Sequence, residues 1–295
     1  MAKRSLPVIG VTGATGYLGR SLIAALRESS LNVVEYRRTS PNTAPNGTVR
    51  ALDLSEPIDT QLFEGVSCVV HTAWDLRETD PRRAWECNVN GSKRLLEAAL
   101  GAGVQRFIFI SSMSAYFGTK QDYGLMKLAV ERAVLESNQI VVRPGLVYGG
   151  DAGGMVLTLT KLARLPLIPV FRDAHQFTLH INDFLAAMVL LVRAASVPSS
   201  VIGLAYESPT PFKEIMQTLA AQSGSTARTV TVPWHPLLGL LRVGERLRIP
   251  LPVRSDSLLG LVRPAPVVPG HDVAASIGLS FRGFSDNAGA TPPRP

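Results

Sequence analysis

The sequence predicts an α/β fold: a doubly wound parallel sheet with a smaller α+β lobe toward the C-terminus. Three observations carry this. First, apolar runs ("PVIGVTG", "NVVEYR", "VSCVVHTA", "VQRFIFISS", "QIVVRPG") alternate with helical patterns ("SLIAALRES", "NGSKRLLEAALGAG", "YGLMKLAVERAVLES"). Strands with no alternating polar face are buried on both sides, as in a parallel sheet between layers of helices. Second, a glycine-rich turn joins the first strand to the first helix. Third, the pattern loosens after Gly150 and proline becomes more frequent from Val201, so a separate lobe is expected there.

Composition agrees. With 295 residues, 46% of them apolar and 18% charged, the chain can bury a sizeable core. Two cysteines, Cys68 and Cys87, make neither a disulfide framework nor a metal cluster, and are expected as reduced thiols. The first apolar stretch is too short for a secretory signal, and "FLAAMVLLV" is too short to span a bilayer. A soluble, cytoplasmic protein without a membrane span is expected. The net charge of +7 suits an anionic partner. Lys and Arg are scattered, with no basic run interleaved with aromatics, so a phosphorylated small molecule is expected rather than nucleic acid.

In the lobe, "LTLTKLARLPLIPVF" reads as a helix and turn and "HINDFLAAMVLLVRAA" as a helix. "PFKEIMQTLAAQSG" starts after proline and ends at glycine, as helices do, and "TARTVTVP" reads as a strand. "HPLLGLLRVGERLRIPLP" is apolar with periodic arginines. It could lie on a membrane surface. A lobe helix packing on its neighbour is the commoner case and the expected one. "SDNAGATPPRP" has little to bury, and 286–295 is expected as a flexible tail.

"VTGATGYLGRSLIAAL" places Gly13, Gly16 and Gly19 after a strand and at the start of a helix. The first glycine permits the tight turn, the second lets a pyrophosphate approach, and the third lets the helix pack on the sheet. Free N–H groups around Thr15, Gly16, Tyr17 and Leu18, with the helix dipole, would hold the phosphates. The end of strand two selects the nucleotide. An acid there hydrogen-bonds a ribose 2′-OH, whereas arginine suits a 2′-phosphate. Here "EYRRTS" puts Arg37 and Arg38 at the strand end, so NADP is favoured over NAD. Asp53, followed by Leu54 in "ALDLS", could accept from the adenine amino group or cap the next short helix.

Tyr123 and Lys127 stand four apart on a predicted helix and share one face. A phenol has an ordinary pKa of about 10. A neighbouring ammonium favours phenolate and lowers that value. Tyr123 could then exchange a proton with a substrate hydroxyl during hydride transfer. A serine from the preceding strand end would hold the substrate oxygen.

"TGATGYLG", "SSMSAY", "YGLMK", "NVNGSKRLLEAA", "VVRPGLVYG" and "HINDFLAAM" together resemble the extended short-chain dehydrogenase/reductase family, its NAD-dependent epimerase/dehydratase group. The resemblance implies a Rossmann domain at about 1–150 and 174–200, with a substrate lobe at about 151–173 and 201–285. It implies that Tyr123 and Lys127 are catalytic, the lysine also binding the nicotinamide ribose. The family serine matches Ser112 by counting back from Tyr116, with Ser114 the second choice; "YFG" replaces the usual "YG", and counting from Gly118 would reach Met113. Asn88 matches an asparagine that orders a proton-relay water. His71 and Ala73 match the loop beside the cofactor, Trp74 would look into the site, and Pro144 and Gly145 match a loop near the nicotinamide.

Three departures narrow the chemistry that the resemblance implies. Met113 and Ser114 stand where family dehydratases carry an Asp-Glu pair. Leu146 stands where many nucleotide-sugar enzymes carry asparagine. The segment from Ser112 to Tyr123 is short. An NAD(P)-dependent ketoreductase or dehydrogenase of a small carbonyl or hydroxyl compound is therefore expected. A nucleotide-sugar epimerase with retained NAD is the alternative, and a non-catalytic NADP-sensing protein a third. The resemblance also offers the two helices beside the site as a homodimer face, although packing within the monomer accounts for them equally well.

Overall fold

The computed structural model describes residues 7–39, 48–151, 153–226, 228–249, 251 and 253–284. The tail expected at 286–295 lies outside them. The chain divides into two compact units: 1–111, 126–142 and 185–202 in the first, and 112–125, 143–184 and 203–295 in the second.

The elements of the first half run β1 (Val8–Thr12), α1 (Tyr17–Glu28), β2 (Asn32–Arg37), β3 (Val49–Ala51), β4 (Cys68–His71), α2 (Pro81–Trp85), α3 (Gly91–Gly101), β5 (Arg106–Ile110), α4 (Asp122–Glu136) and β6 (Ile140–Pro144). They continue as β7 (Leu146–Tyr148), α5 (Gly154–Leu162), β8 (Leu167–Val170), β9 (His175–Gln176), β10 (Thr178–His180), α6 (Ile181–Arg193) and β11 (Val201–Leu204). The remainder is β12 (Thr210–Pro211), α7 (Phe212–Gln222), β13 (Arg228–Thr231), α8 (Trp234–Arg246), α9 (Ser255–Val262) and α10 (His271–Ser276).

One seven-stranded sheet has the order β11-β6-β5-β4-β1-β2-β3. Its pairings from β6 through β3 are parallel. All four residues of β4 are buried, as an apolar run between two helix layers requires. Phe63, Leu95, Phe107, Phe109 and Val130 form the centre of one core cluster. The strand order reverses between β1 and β4. The C-terminal edge of the sheet at such a reversal is the usual ligand position of doubly wound sheets.

One helical stretch begins earlier than the predicted "NGSKRLLEAALGAG". Asp80 caps α2, its carboxylate accepting from the N–H groups of Arg82 and Arg83 at 3.0 and 2.9 Å, and Pro81 takes the first helical position. A π-helical turn, Glu86–Asn90, joins α2 to α3 and carries Asn88. Such single π turns recur at functional sites.

The second unit contains three two-stranded sheets: β7 with β10 and β8 with β13, both parallel, and β9 with β12, antiparallel. "LPLIPV", expected as a turn, forms β8. Proline argues against a strand because it donates nothing to the ladder. Here Pro169 stands opposite Val230 in a ribbon of only two strands, where one side needs no donor. Phe171 and Phe212 stack at 5.7 Å in the core of this unit.

Candidate active site

In the first unit, Gly13 follows β1 with φ +69°, the left-handed region that favours glycine. A Cβ there would lie 2.7 Å from the Ala73 amide nitrogen, so the turn after β1 and the loop after β4 touch backbone to backbone. A Cβ on Gly19 would meet the Gly13 carbonyl at 2.2 Å. Gly16 is the N-cap of α1 and supplies no side-chain acceptor, and the first turn holds no acid. A helix start with no side-chain cap and no carboxylate presents the positive end of its dipole and suits an anion. Thr15 and Gly16 are exposed, while Tyr17 and Leu18 are half-buried.

His71 ends β4 and is completely buried. Its Nδ1 lies 2.7 Å from Thr12 Oγ1 and its Nε2 lies 2.8 Å from Ser92 Oγ. The neighbours fix the proton positions. Ser92 donates to the Asn88 carbonyl, so its oxygen accepts from Nε2–H. Thr12 accepts from the Ala73 N–H at 3.3 Å and donates to Nδ1. This single directed chain requires neutral imidazole, and burial, aided by the Lys127 charge, pushes the His71 pKa down to about 3. Both ring nitrogens are spent within the protein. His71 therefore fixes the loop after β4 from beneath.

That loop carries Ala73, Trp74 and Asp75. Asn88 holds it: its Oδ1 accepts from the Asp75 N–H at 2.7 Å and its Nδ2 donates to the Asp75 carbonyl at 3.0 Å. Asn88 is fully buried, and both ends of its amide serve backbone. Trp74 in turn lies against Lys127, whose ammonium stands 3.8 Å from the indole centroid and 4.6 Å from that of Phe109. Lys127 Nζ also donates to the Ile110 carbonyl at 2.8 Å. Burial lowers the Lys127 pKa to about 7, against an opposing pull from Glu131. Ser111, the first serine after β5, donates to Glu131 and is buried.

At the end of β2 the two arginines have different partners. Arg37 binds Glu35, a buried carboxylate that also takes Arg27 at 2.7 Å. Arg38 is exposed and pairs with Asp75 at 2.7 Å. Asp53 accepts from Ser55 N–H at 2.9 Å and from its hydroxyl at 2.7 Å, and these bonds hold its carboxyl below the ordinary range. Leu54 is buried, and its carbonyl accepts from Arg94 at 2.8 Å.

In the second unit, the Ser112 and Tyr123 hydroxyls are hydrogen-bonded. Ser112 Oγ also accepts from the Ser114 N–H at 3.1 Å. Ser114 is half-buried on the same turn, and Met113 is buried. Gly124 lets the start of α4 press on that turn, since a Cβ would meet the Ser114 carbonyl at 2.3 Å. Pro144 is buried and its carbonyl accepts from Met113 N–H at 3.2 Å, while Gly145 N–H donates to Leu204 at 2.9 Å. Tyr123 and Lys127 lie on α4, one turn apart.

The Tyr123 pKa is not lowered as the sequence suggested. Burial pushes it up to about 12, the Ser112 hydroxyl pulling down and the Asp256 charge pushing up. Desolvation outweighs the hydrogen bond, so the phenol is protonated at neutral pH. Asp256 had no signal in the sequence. Its carboxylate accepts from the N–H groups of Asp122 and Tyr123 at 2.7 and 3.2 Å and so caps α4 from a segment more than a hundred residues away.

The parallel sheet, with its flanking helices and the glycine turn after its first strand, is a Rossmann-like fold. Residues 9–203 match the model of the NAD dependent epimerase/dehydratase family. The chain belongs to this family. It is 30% identical over 254 residues to a ceramide reductase of Caulobacter vibrioides (strain NA1000 / CB15N), covering 79% of this chain and 76% of that one. It is 25% identical over 261 residues to a dTDP-6-deoxy-L-talose 4-dehydrogenase (NAD(P)(+)) of Kitasatospora kifunensis, covering 76% and 82%. Among solved structures, MoeE5 in complex with UDP-glucose and NAD shares the fold with a TM-score of 0.71 at 24% identity, covering 96% of each chain. Relatives in the family thus include reductases, dehydrogenases and epimerases.

Proposed function

We propose that the protein is an NADPH-linked ketoreductase, or the dehydrogenase of the corresponding secondary alcohol. The observation that carries this reading is the hydrogen bond between Ser112 and Tyr123, with Lys127 one turn along the same helix. A nicotinamide cofactor, when bound, supplies or takes the hydride. Its fit rests on the left-handed Gly13 turn, the close Gly13–Ala73 approach and the uncapped start of α1.

Ser112 would hold the carbonyl oxygen by donating its hydroxyl proton. Tyr123 would give its phenolic proton to that oxygen as the carbon is reduced. The raised Tyr123 pKa keeps the acid form available for this direction. Lys127, partly neutral near pH 7, would bind ribose hydroxyls and return a proton to Tyr123. Asn88 would act by holding the Trp74–Asp75 loop, in place of the water-ordering role suggested by the sequence. For the nucleotide, NADP is favoured because Glu35 is occupied by two arginines while Arg38 is exposed at the strand end. Arg38→Ala is expected to raise the KM for NADPH roughly 10- to 100-fold, as for a lost charge-assisted contact, with NADH little changed.

The ceramide reductase among the relatives, and Leu146 where many nucleotide-sugar enzymes carry asparagine, support an apolar ketone, while the dTDP-6-deoxy-L-talose 4-dehydrogenase supports a nucleotide sugar. The competing reading is an epimerase with retained NAD, in keeping with the epimerase among the relatives. Mass spectrometry of small molecules released on denaturation separates the two. Stoichiometric NAD would support the epimerase. An empty site, with NADPH consumed on adding long-chain ketones, would support the reductase.

A further inference from the structure

Helix α8 has two apolar faces. Leu238, Leu241 and Gly244 are buried on one, which packs into the unit. Leu240, Val243 and Leu247 follow at i, i+3 and i+7 and so form a second stripe along the helix. They are 68%, 54% and 66% exposed, and Ile249 just beyond is 50% exposed. Large apolar side chains exposed singly are ordinary; a continuous stripe of them is not.

The charges along this stripe are all of one sign. Arg242 and Arg246 project beside it and Arg248 follows it, all three exposed. None of them forms an ion pair among the described residues. Glu245 is the one acid of the helix. It is turned to α9, where it accepts from Ser255 N–H at 2.7 Å and from the Ser255 hydroxyl at 2.6 Å. The outer face is therefore apolar with a basic border and no carboxylate. No helix is long and apolar enough to cross a membrane among the described residues.

We propose that the outer face of α8 docks on an anionic phospholipid surface, the stripe from Leu240 to Ile249 entering the headgroup boundary and the three arginines meeting lipid phosphates. Charge complementarity selects this occupant. A second copy of the chain would bring arginine against arginine about the same helix, whereas an anionic bilayer satisfies both the apolar stripe and its border. The inference does not depend on which carbonyl compound the protein reduces.

The test is flotation of the full-length protein with vesicles of phosphatidylcholine alone or containing phosphatidylglycerol. The expected result is binding to the anionic vesicles only, weakening as salt is raised. Leu240→Asp with Leu247→Asp should reduce binding roughly tenfold or more, since both side chains are exposed and leave the core intact. A second variant, Arg242→Gln with Arg246→Gln and Arg248→Gln, should bind weakly and lose the salt dependence. Failure of the wild type to bind anionic vesicles would overturn the proposal, as would binding that neither variant changes. So would a dimer in solution that Leu240→Asp splits and that vesicles fail to displace, because the stripe would then be an interface between copies.

Discussion

The two units both hold buried polar groups, and they hold them differently. In the first unit, Thr12, His71, Ser92 and the Asn88 carbonyl form one closed chain in which every proton has an acceptor. In the second, the start of α4 depends on Asp256 and Gln121, and Gln121 Oε1 is buried without a partner among the described residues. The first arrangement comes from strand ends that the sheet places side by side. The second comes from α9, brought in from far along the chain. A saturated network tolerates no change at its members, while a contact made by one distant side chain can be weakened in isolation.

The largest expected effect is at Tyr123. Tyr123→Phe should lower turnover about a thousandfold while leaving NADPH affinity within roughly twofold. Fluorescence titration beside steady-state kinetics reads both, and a fully active variant would remove Tyr123 from the chemistry. Next comes the saturated side. Gly13→Ala forces a Cβ against the Ala73 amide at a positive φ, and should cost about 2–3 kcal/mol in denaturant unfolding and abolish cofactor binding.

The same side has a pH signature. Unfolded His71 takes a proton below about pH 6.5, while the folded residue stays neutral until about 3. The unfolded state therefore binds more protons in that window, and stability falls as pH falls across it. The slope from this residue alone approaches about 1.4 kcal/mol per pH unit. His71→Gln should flatten the acid limb of a stability-against-pH curve. An unchanged slope would mean that His71 is not held neutral.

The smallest effect belongs to the second unit. Asp256→Asn should weaken the cap of α4 by about 1 kcal/mol. It should also let Tyr123 ionise at lower pH, because the Asp256 charge raises the Tyr123 pKa. Ultraviolet titration of tyrosinate, with Tyr123→Phe as reference, would show this. A cap loss without that change would leave Asp256 a purely structural contact.

The parallel strands, the glycine turn and the Tyr123–Lys127 spacing could be read from residues because each depends on neighbours within one turn or one strand. Strand periodicity, a left-handed glycine and the four-residue repeat of a helix are local properties. Other features depended on partners far along the chain. "LPLIPV" is a strand only because β13 lies beside it. Glu35, rather than solvent or nucleotide, takes Arg37. The closure of the His71 chain needed Thr12 and Ser92, which no spacing links.

The sequence by itself determined the sheet, the glycine turn and the residue types that carry the proposed chemistry. Tertiary structure decided their protonation. Tyr123 is pushed up and Lys127 down by burial, and burial depends on which segments cover a group rather than on its neighbours in sequence.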